Sequence, residues 1–401
     1  MNPKPPEDGR SISTQTQYFM KNRLQAPVLL SIITLLGLIT SKADAALLIG
    51  NTEDNNIVVF DESTGTFQGN FTTPGLGGLQ APDALTIGPD SNLYVSSGGN
   101  SGLNLFDPAY PQDSAVLRYS LTGEFLGVAA SGGGLTRPYG NAFAPDGSLF
   151  VSSFRTNQIL RYDVTTGAFL GVFASDNNSG LGSVNGLNGP NGLLFGPDGS
   201  LYVTTQGSAN NISGGLTFPF ASQVLRYTPE QVAGLAPSEA PNVLIDQPTT
   251  LPESEFISLL GLALAPTDDS LYVSDFAGGI RQYDLAGNLL SVLSTNYTGT
   301  APSSNFIGSL TFGSGANSDD LYAVGFDRTN ANLGSVLAYA GAQGSAGTFS
   351  GDVFTSSRLI RPIGVVAVEG VPEPSTVAGL LLSLGGLGLA RLRQRRSQIK
   401  L

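Results

Sequence analysis

The side chains available for chemistry are oxygen and amide groups. The 401 residues contain no histidine and no cysteine, so Ser-His and Cys-His nucleophile pairs and the usual zinc or copper sites have nothing to build on. Carboxylates, carboxamides and hydroxyls remain, and they suit hard cations and the hydroxyl groups of carbohydrates. Seven of the acids recur at one place. Asp90, Asp146, Asp198, the pair Asp268 and Asp269, and the pair Asp319 and Asp320 each stand in a short polar turn between two apolar runs. Asp and Ser side chains cap such reversals, so a place shared by five repeats argues for turn chemistry over a two-carboxylate hydrolytic site. Arg118-Tyr119, Arg161-Tyr162 and Arg226-Tyr227 recur in the same way and are read as packing between repeats. Asp83, Asn141, Asn191 and Asp275 lie outside that turn. They are candidate ligands for Ca²⁺ or Mg²⁺, provided that the fold gathers them.

The element that must do the gathering is a repeat, shown most clearly by residues 135–173, LTRPYGNAFAPDGSLFVSSFRTNQILRYDVTTGAFLGVF. A Pro-x-Gly entry and apolar run break at Pro145-Asp146-Gly147, where Asp-Gly supplies the positive φ of a tight reversal. Residues 149–153, 158–162 and 168–173 then read as three further strands with turns between them. The second strand recurs at 47–50, 93–97, 149–153, 201–205, 271–275 and 321–325, and the third at 57–61, 116–120, 159–163, 224–228, 280–284 and 336–340. Six copies of a four-stranded unit at propeller spacing predict an all-β, six-bladed β-propeller over 46–370. The first unit lacks its Pro-x-Gly strand, and residues 359–368, LIRPIGVVAV, supply one that no second strand follows. That segment is expected to complete the first blade and close the ring, removing two open sheet edges.

In a closed ring, the loops between second and third strands emerge beside the entries of the first strands, at one mouth of the central channel. Asp83, Asn141 and Asn191 are expected near that mouth, with Asp275 at the end of a second strand. Two long loops belong to the same face, 98–115 with Phe106 and Tyr110 and 206–223 with Phe218 and Phe220. Two readings of these aromatics stay open: rings that stack on sugars, or local apolar clusters that fold back. The segment GPNGLLFGPDGSLYV, 189–203, resembles a repeat of the NHL and gluconolactonase-like propellers. Some of those hold a divalent cation at the channel mouth with Asn, Asp and Glu. The resemblance implies such a site around Asp83 and Asn191 and, as an alternative function, a metal-dependent hydrolase of the gluconolactonase type. This chain offers Ile363 where an acidic ligand would help, and no Glu near any entry.

The ends of the chain read as addresses. Lys21 and Arg23, an apolar run over 26–39 and Ala43-Asp44-Ala45 make a secretory signal peptide over 1–45, with Met20 an alternative start. Pro372-Glu373-Pro374 precedes an apolar run over 377–390 and a basic tail with Arg391, Arg393, Arg395 and Arg396. This resembles the PEP-CTERM sorting signal of Gram-negative bacteria. It implies Sec export, a transient inner-membrane stay of the C-terminal helix, and cleavage by an exosortase near 372–374. Between the signals there are nine Arg, no Lys and 27 Asp or Glu, a net charge near −18 against −12 for the whole chain. Nucleic acid is therefore an unsuitable partner. The expectation is an exported, non-catalytic binding or scaffold propeller at the cell surface or in an extracellular matrix. Its expected partners are an extracellular polysaccharide or another surface protein.

Overall fold

Each repeat folds into a four-stranded antiparallel sheet because its apolar residues alternate and its turns carry residues that reverse the chain. In the computed structural model, residues 45–98, 113–176, 182–210, 215–234, 240–252, 254–344 and 348–369 are described. From the inside outwards, blade two has strands Pro82–Ile87, Leu93–Ser97, Ala115–Tyr119 and Phe125–Ser131, and blade three has Pro138–Phe143, Leu149–Ser153, Gln158–Asp163 and Ala168–Ser175. Blades four, five and six start at Pro190–Phe195, Leu259–Leu264 and Asn305–Phe312 and repeat the order. The expected second and third strands all form, within a residue or so, except that blade six extends its pair to Leu321–Asp327 and Leu333–Tyr339. Blade four adds a small hairpin, Ala209–Asn210 with Leu216–Thr217.

Blade one closes the ring. Its sheet runs Pro362–Val368, Ala46–Asn51, Asn56–Asp61, Phe67–Asn70, so the last described strand pairs with the first. The closing strand is shorter than the sequence suggests. Leu359 and Ile360 end the outer strand of blade six, Asp352–Ile360, and Arg361 turns the chain with φ 51° before Pro362 opens the new strand. Closure leaves a seam as apolar as the others: Leu47, Ile49, Val58 and Phe60 of blade one pack on Tyr322, Val324 and Val336 of blade six. Fully burying such side chains contributes roughly 1.5–3 kcal/mol each.

Around the channel the inner strands pass one another closely. A Cβ on Gly364 of the closing strand would overlap the backbone carbonyl of Asp83, and one on Gly140 would overlap that of Asn191. Glycine at this step of the inner strand therefore sets the spacing of neighbouring blades.

The opposite face repeats turn chemistry. Asp146 Oδ1 accepts from the N–H of Ser148 at 2.9 Å and from its hydroxyl at 2.6 Å, and Asp198 treats Ser200 likewise. The arginine of the third strand reaches back to this turn, with Arg118–Asp90 at 3.8 Å, Arg161–Asp146 at 3.4 Å and Arg226–Asp198 at 2.8 Å. The tyrosine beside it is buried between blades, and Tyr119 and Tyr162 donate to the carbonyls of Leu76 and Gly132. Turn capping and blade packing thus account for both repeated sets.

Candidate functional site

The site begins with the step after the first residue of each inner strand. Pro82, Pro138, Pro190, Leu259 and Pro362 pair with the last residues of their second strands, Ser97, Ser153, Thr205, Asp275 and Asn51. The residues that follow are Asp83, Tyr139, Asn191, Leu260 and Ile363, and all five line one cavity of about 1030 Å³ at the channel mouth. This is the size of a small-molecule site.

Asp83 and Asn191 therefore line the same cavity. Asn141 and Asp275 are not part of the lining. Asn141 pairs with Val151, two steps further along, where the other blades carry Leu85, Leu193 and Leu262. Its amide donates to the Ser96 hydroxyl at 2.9 Å and the Ala84 carbonyl at 3.2 Å, tying blade three to blade two. Asp275 is wholly buried and fully engaged. One oxygen accepts from the N–H groups of Ser258 (2.8 Å) and Ala277 (3.2 Å), and the other meets Arg281 Nη1 at 2.9 Å. Burial raises its pKa against the pull of Arg281 and these donors.

Two arginines that sequence reasoning passed over dominate the mouth. Arg137 and Arg361 precede Pro138 and Pro362, and both take left-handed backbone angles, φ 55° and 51°. The same position in other blades holds Ala81 at φ 45° and Gly189 at φ 65°, so the turn calls for a small residue and two blades carry a long cation there instead. Such conformations cost about 1–3 kcal/mol and concentrate at functional sites. The signal was visible as Arg-Pro-x-Gly in exactly two of the six entries.

Arg137 Nη2 stands 3.5 Å from Asp83 Oδ2, and both side chains are almost fully buried. Arg361 acts on the same carboxylate through its charge. Burial nevertheless outweighs both guanidinium groups and pushes Asp83 up to about 7. Asp83 Oδ2, Asn191 Nδ2 and Arg361 Nε are buried without a hydrogen-bond partner. Phe256 and Phe276 line the cavity and belong to an aromatic group in which Phe276 packs on Phe306 at 4.5 Å, Phe256 meets Phe306 at 6.2 Å, and Phe326 lies 6.1 Å from Phe276. From blade four, Phe218 and Phe220 line the cavity, and Phe218 stays 55% exposed. In the same loop Leu216 folds back onto Tyr139 and Phe154. Phe106 and Tyr110 lie outside the described residues, as do Pro372, Glu373, Pro374 and the arginines of the tail.

These donors do not fit a divalent cation. Asp83 is the one carboxylate among the buried lining residues, two guanidinium groups already face it, and Glu255 is exposed at the rim. Among the described residues no group of three or more acidic side chains is placed to hold a metal ion. An array of N–H donors beside an apolar wall instead favours a ligand that accepts hydrogen bonds.

Fold and site define a six-bladed β-propeller with an amphipathic pocket at its channel mouth. No family model matches the chain, and no curated protein matches it. Among solved structures, a chain of the crystallised nidogen/laminin complex matches with a TM-score of 0.53 at 16% identity, over 82% of this chain and 100% of that one. A putative gluconolactonase matches at TM-score 0.42 and 16% identity, covering 64% and 73%. Virginiamycin B lyase from Staphylococcus aureus matches at 0.41 and 14%, covering 83% and 94%. At such identities the likeness concerns the fold alone.

Proposed function

We propose that the chain is an exported bacterial propeller that binds a ligand at its channel mouth and performs no chemistry of its own. It works at the cell surface or in an extracellular polysaccharide matrix. The observation that carries this reading is where the repeat is broken. On the turn face the blades reuse one Asp-centred device, while at the mouth the residue after the first of five of the six inner strands becomes Asp, Tyr, Asn, Leu and Ile in turn. With neither histidine nor cysteine in the sequence, these groups can recognise a ligand more readily than they can transform one.

Export and release rest on the terminal motifs. The apolar run over 26–39 directs Sec export, the basic tail stays inside, and an exosortase cuts near Pro372-Glu373-Pro374. Two measurements on the full chain test the proposal. On fractionation of an exosortase-bearing host, Glu373→Ala, or loss of 391–396, should leave protein in the inner membrane; normal release of both variants contradicts the sorting reading. Released wild type exposed to matrix extract should retain a small molecule in native mass spectrometry, and Asn191→Trp should lose it. Equal retention by the two, or lactone turnover with Ca²⁺ or Mg²⁺, overturns the non-catalytic mouth site.

A further inference from the structure

We propose that the channel mouth selects an organic carboxylate carried on an apolar body. The inference rests on the mouth being a binding site and specifies what that site recognises. The mature region has only nine arginines in an acidic span, yet two of them, on blades one and three, converge on this one cavity. A guanidinium presents a planar fork that matches a carboxylate in two parallel hydrogen bonds. Asn191, 3% exposed, adds an Nδ2 donor that nothing in the protein accepts, and Arg361 Nε is likewise unsatisfied. Buried donors left this way cost free energy that an incoming acceptor would relieve.

Asp83 does not neutralise this array. Its side chain is buried, its Oδ2 accepts no hydrogen bond, and the desolvation that lifts it to about 7 leaves much of it protonated near neutral pH. A protonated Asp83 is itself a donor. Arg137, Arg361 and the exposed Glu255 are the charged groups that share the cavity with it. In the same cavity, Phe218, Phe256, Phe276, Leu260 and Ile363 supply a surface for an aromatic ring or alkyl chain. The cavity therefore offers charge-assisted donors and apolar area together.

The experiment uses the full chain and matched probes: 3-phenylpropionate, 3-phenylpropanol and 3-phenylpropylamine, with octanoate, octanol and octylamine as the alkyl series. Ligand-observed NMR measures affinity at pH 6 and pH 8. Each carboxylate should bind at least roughly tenfold more tightly than its alcohol, the worth of one charge-assisted hydrogen bond, and the amines should bind more weakly still. Carboxylate affinity should fall from pH 6 to pH 8 as Asp83 ionises, while alcohol affinity stays level. Arg361→Gln, at a half-buried position, should abolish the preference without abolishing alcohol binding; Arg361→Lys should restore part of it, which a folding defect would not do. Equal binding of carboxylate and alcohol, or a preference untouched by Arg361→Gln, overturns the carboxylate inference and leaves the mouth site standing. If no probe binds, or if Ile363→Trp changes nothing, the mouth reading itself fails.

Discussion

Two Asp–Arg pairs of this ring use the same residue types and behave oppositely. Arg161 lies 3.4 Å from Asp146 on the turn face, where the Asp146 side chain is 54% exposed and the Ser148 N–H and hydroxyl also serve it. The hydrogen bonds of Ser148, and then the charge of Arg161, hold Asp146 below the usual carboxylate range in spite of partial burial. Arg137 lies 3.5 Å from Asp83 at the mouth, where the Asp83 side chain is 4% exposed and its Oδ2 receives no hydrogen bond. Burial there raises the acid to about 7. Distance to the arginine is nearly equal in the two pairs, so solvent and hydrogen bonding decide the difference. Both faces keep a buried guanidinium N–H without a partner, Arg118 Nε and Arg161 Nε on the turn face and Arg361 Nε at the mouth, but of the two paired acids only Asp83 has a buried carboxylate oxygen that accepts nothing.

The largest effect should come from removing a partner at the mouth. Arg137→Ala leaves Asp83 buried beside one fewer cation, and at pH 8 it should lower unfolding stability by about 3 kcal/mol, measured by urea titration. A loss no greater than that of the exposed pair would erase the distinction between the faces.

Gly364→Ala should come next, at roughly 2 kcal/mol, because its Cβ would meet the backbone of Asp83 where the closing strand passes blade two. Gly147→Ala on the turn face has open space and meets only the strain of φ 83°, about 1 kcal/mol. Reversal of that order would mean that the inner strands are not in contact.

A third contrast is in pH. Asp83 is raised in the folded protein, so folding retains a proton that the unfolded chain releases. Its stabilising contribution is complete below the unfolded value near 3.9 and is lost as pH rises through about 7. Between pH 5 and 8 stability should fall, by at most about 1.4 kcal/mol per pH unit. Asp83→Asn should flatten the slope except for any share from Asp275, which is also raised. The lowered acids, such as Asp146, act in the opposite sense and only in acid, losing their contribution as pH falls. A slope unchanged in Asp83→Asn would contradict this assignment.

The smallest effect belongs to Arg161→Ala, at most about 1 kcal/mol, since its partner is half in solvent.

The repeated face was legible in the sequence because it is built from local signals. Pro-Asp-Gly turns, alternating strands and the Arg-Tyr pairs each fit within a few residues, and their recurrence gave the ring and its closing strand. The mouth was legible only in part. Asp83 and Asn191 follow a proline and could be placed by analogy between blades. Asn141 could not, because a bulge between the start of the inner strand and its fourth residue shifts the register in blades two and three. Asp275 looked like a free ligand because its partner Arg281 is six residues away, across a turn that sequence does not resolve. The aromatic group joins Phe256 and Phe276 from two loops to Phe306 and Phe326 from two strands, and no spacing rule connects them.

The central claim, that the mouth holds an acid kept from solvent among arginines while the turn face holds ordinary capped acids, is tested most directly by carboxyl-carbon NMR of Asp83 and Asp146 titrated in one sample. Assignments come from Asp83→Asn and Asp146→Asn. The account predicts a midpoint near 7 for Asp83 and one below the usual carboxylate range for Asp146. Two midpoints together at or below that range would contradict it.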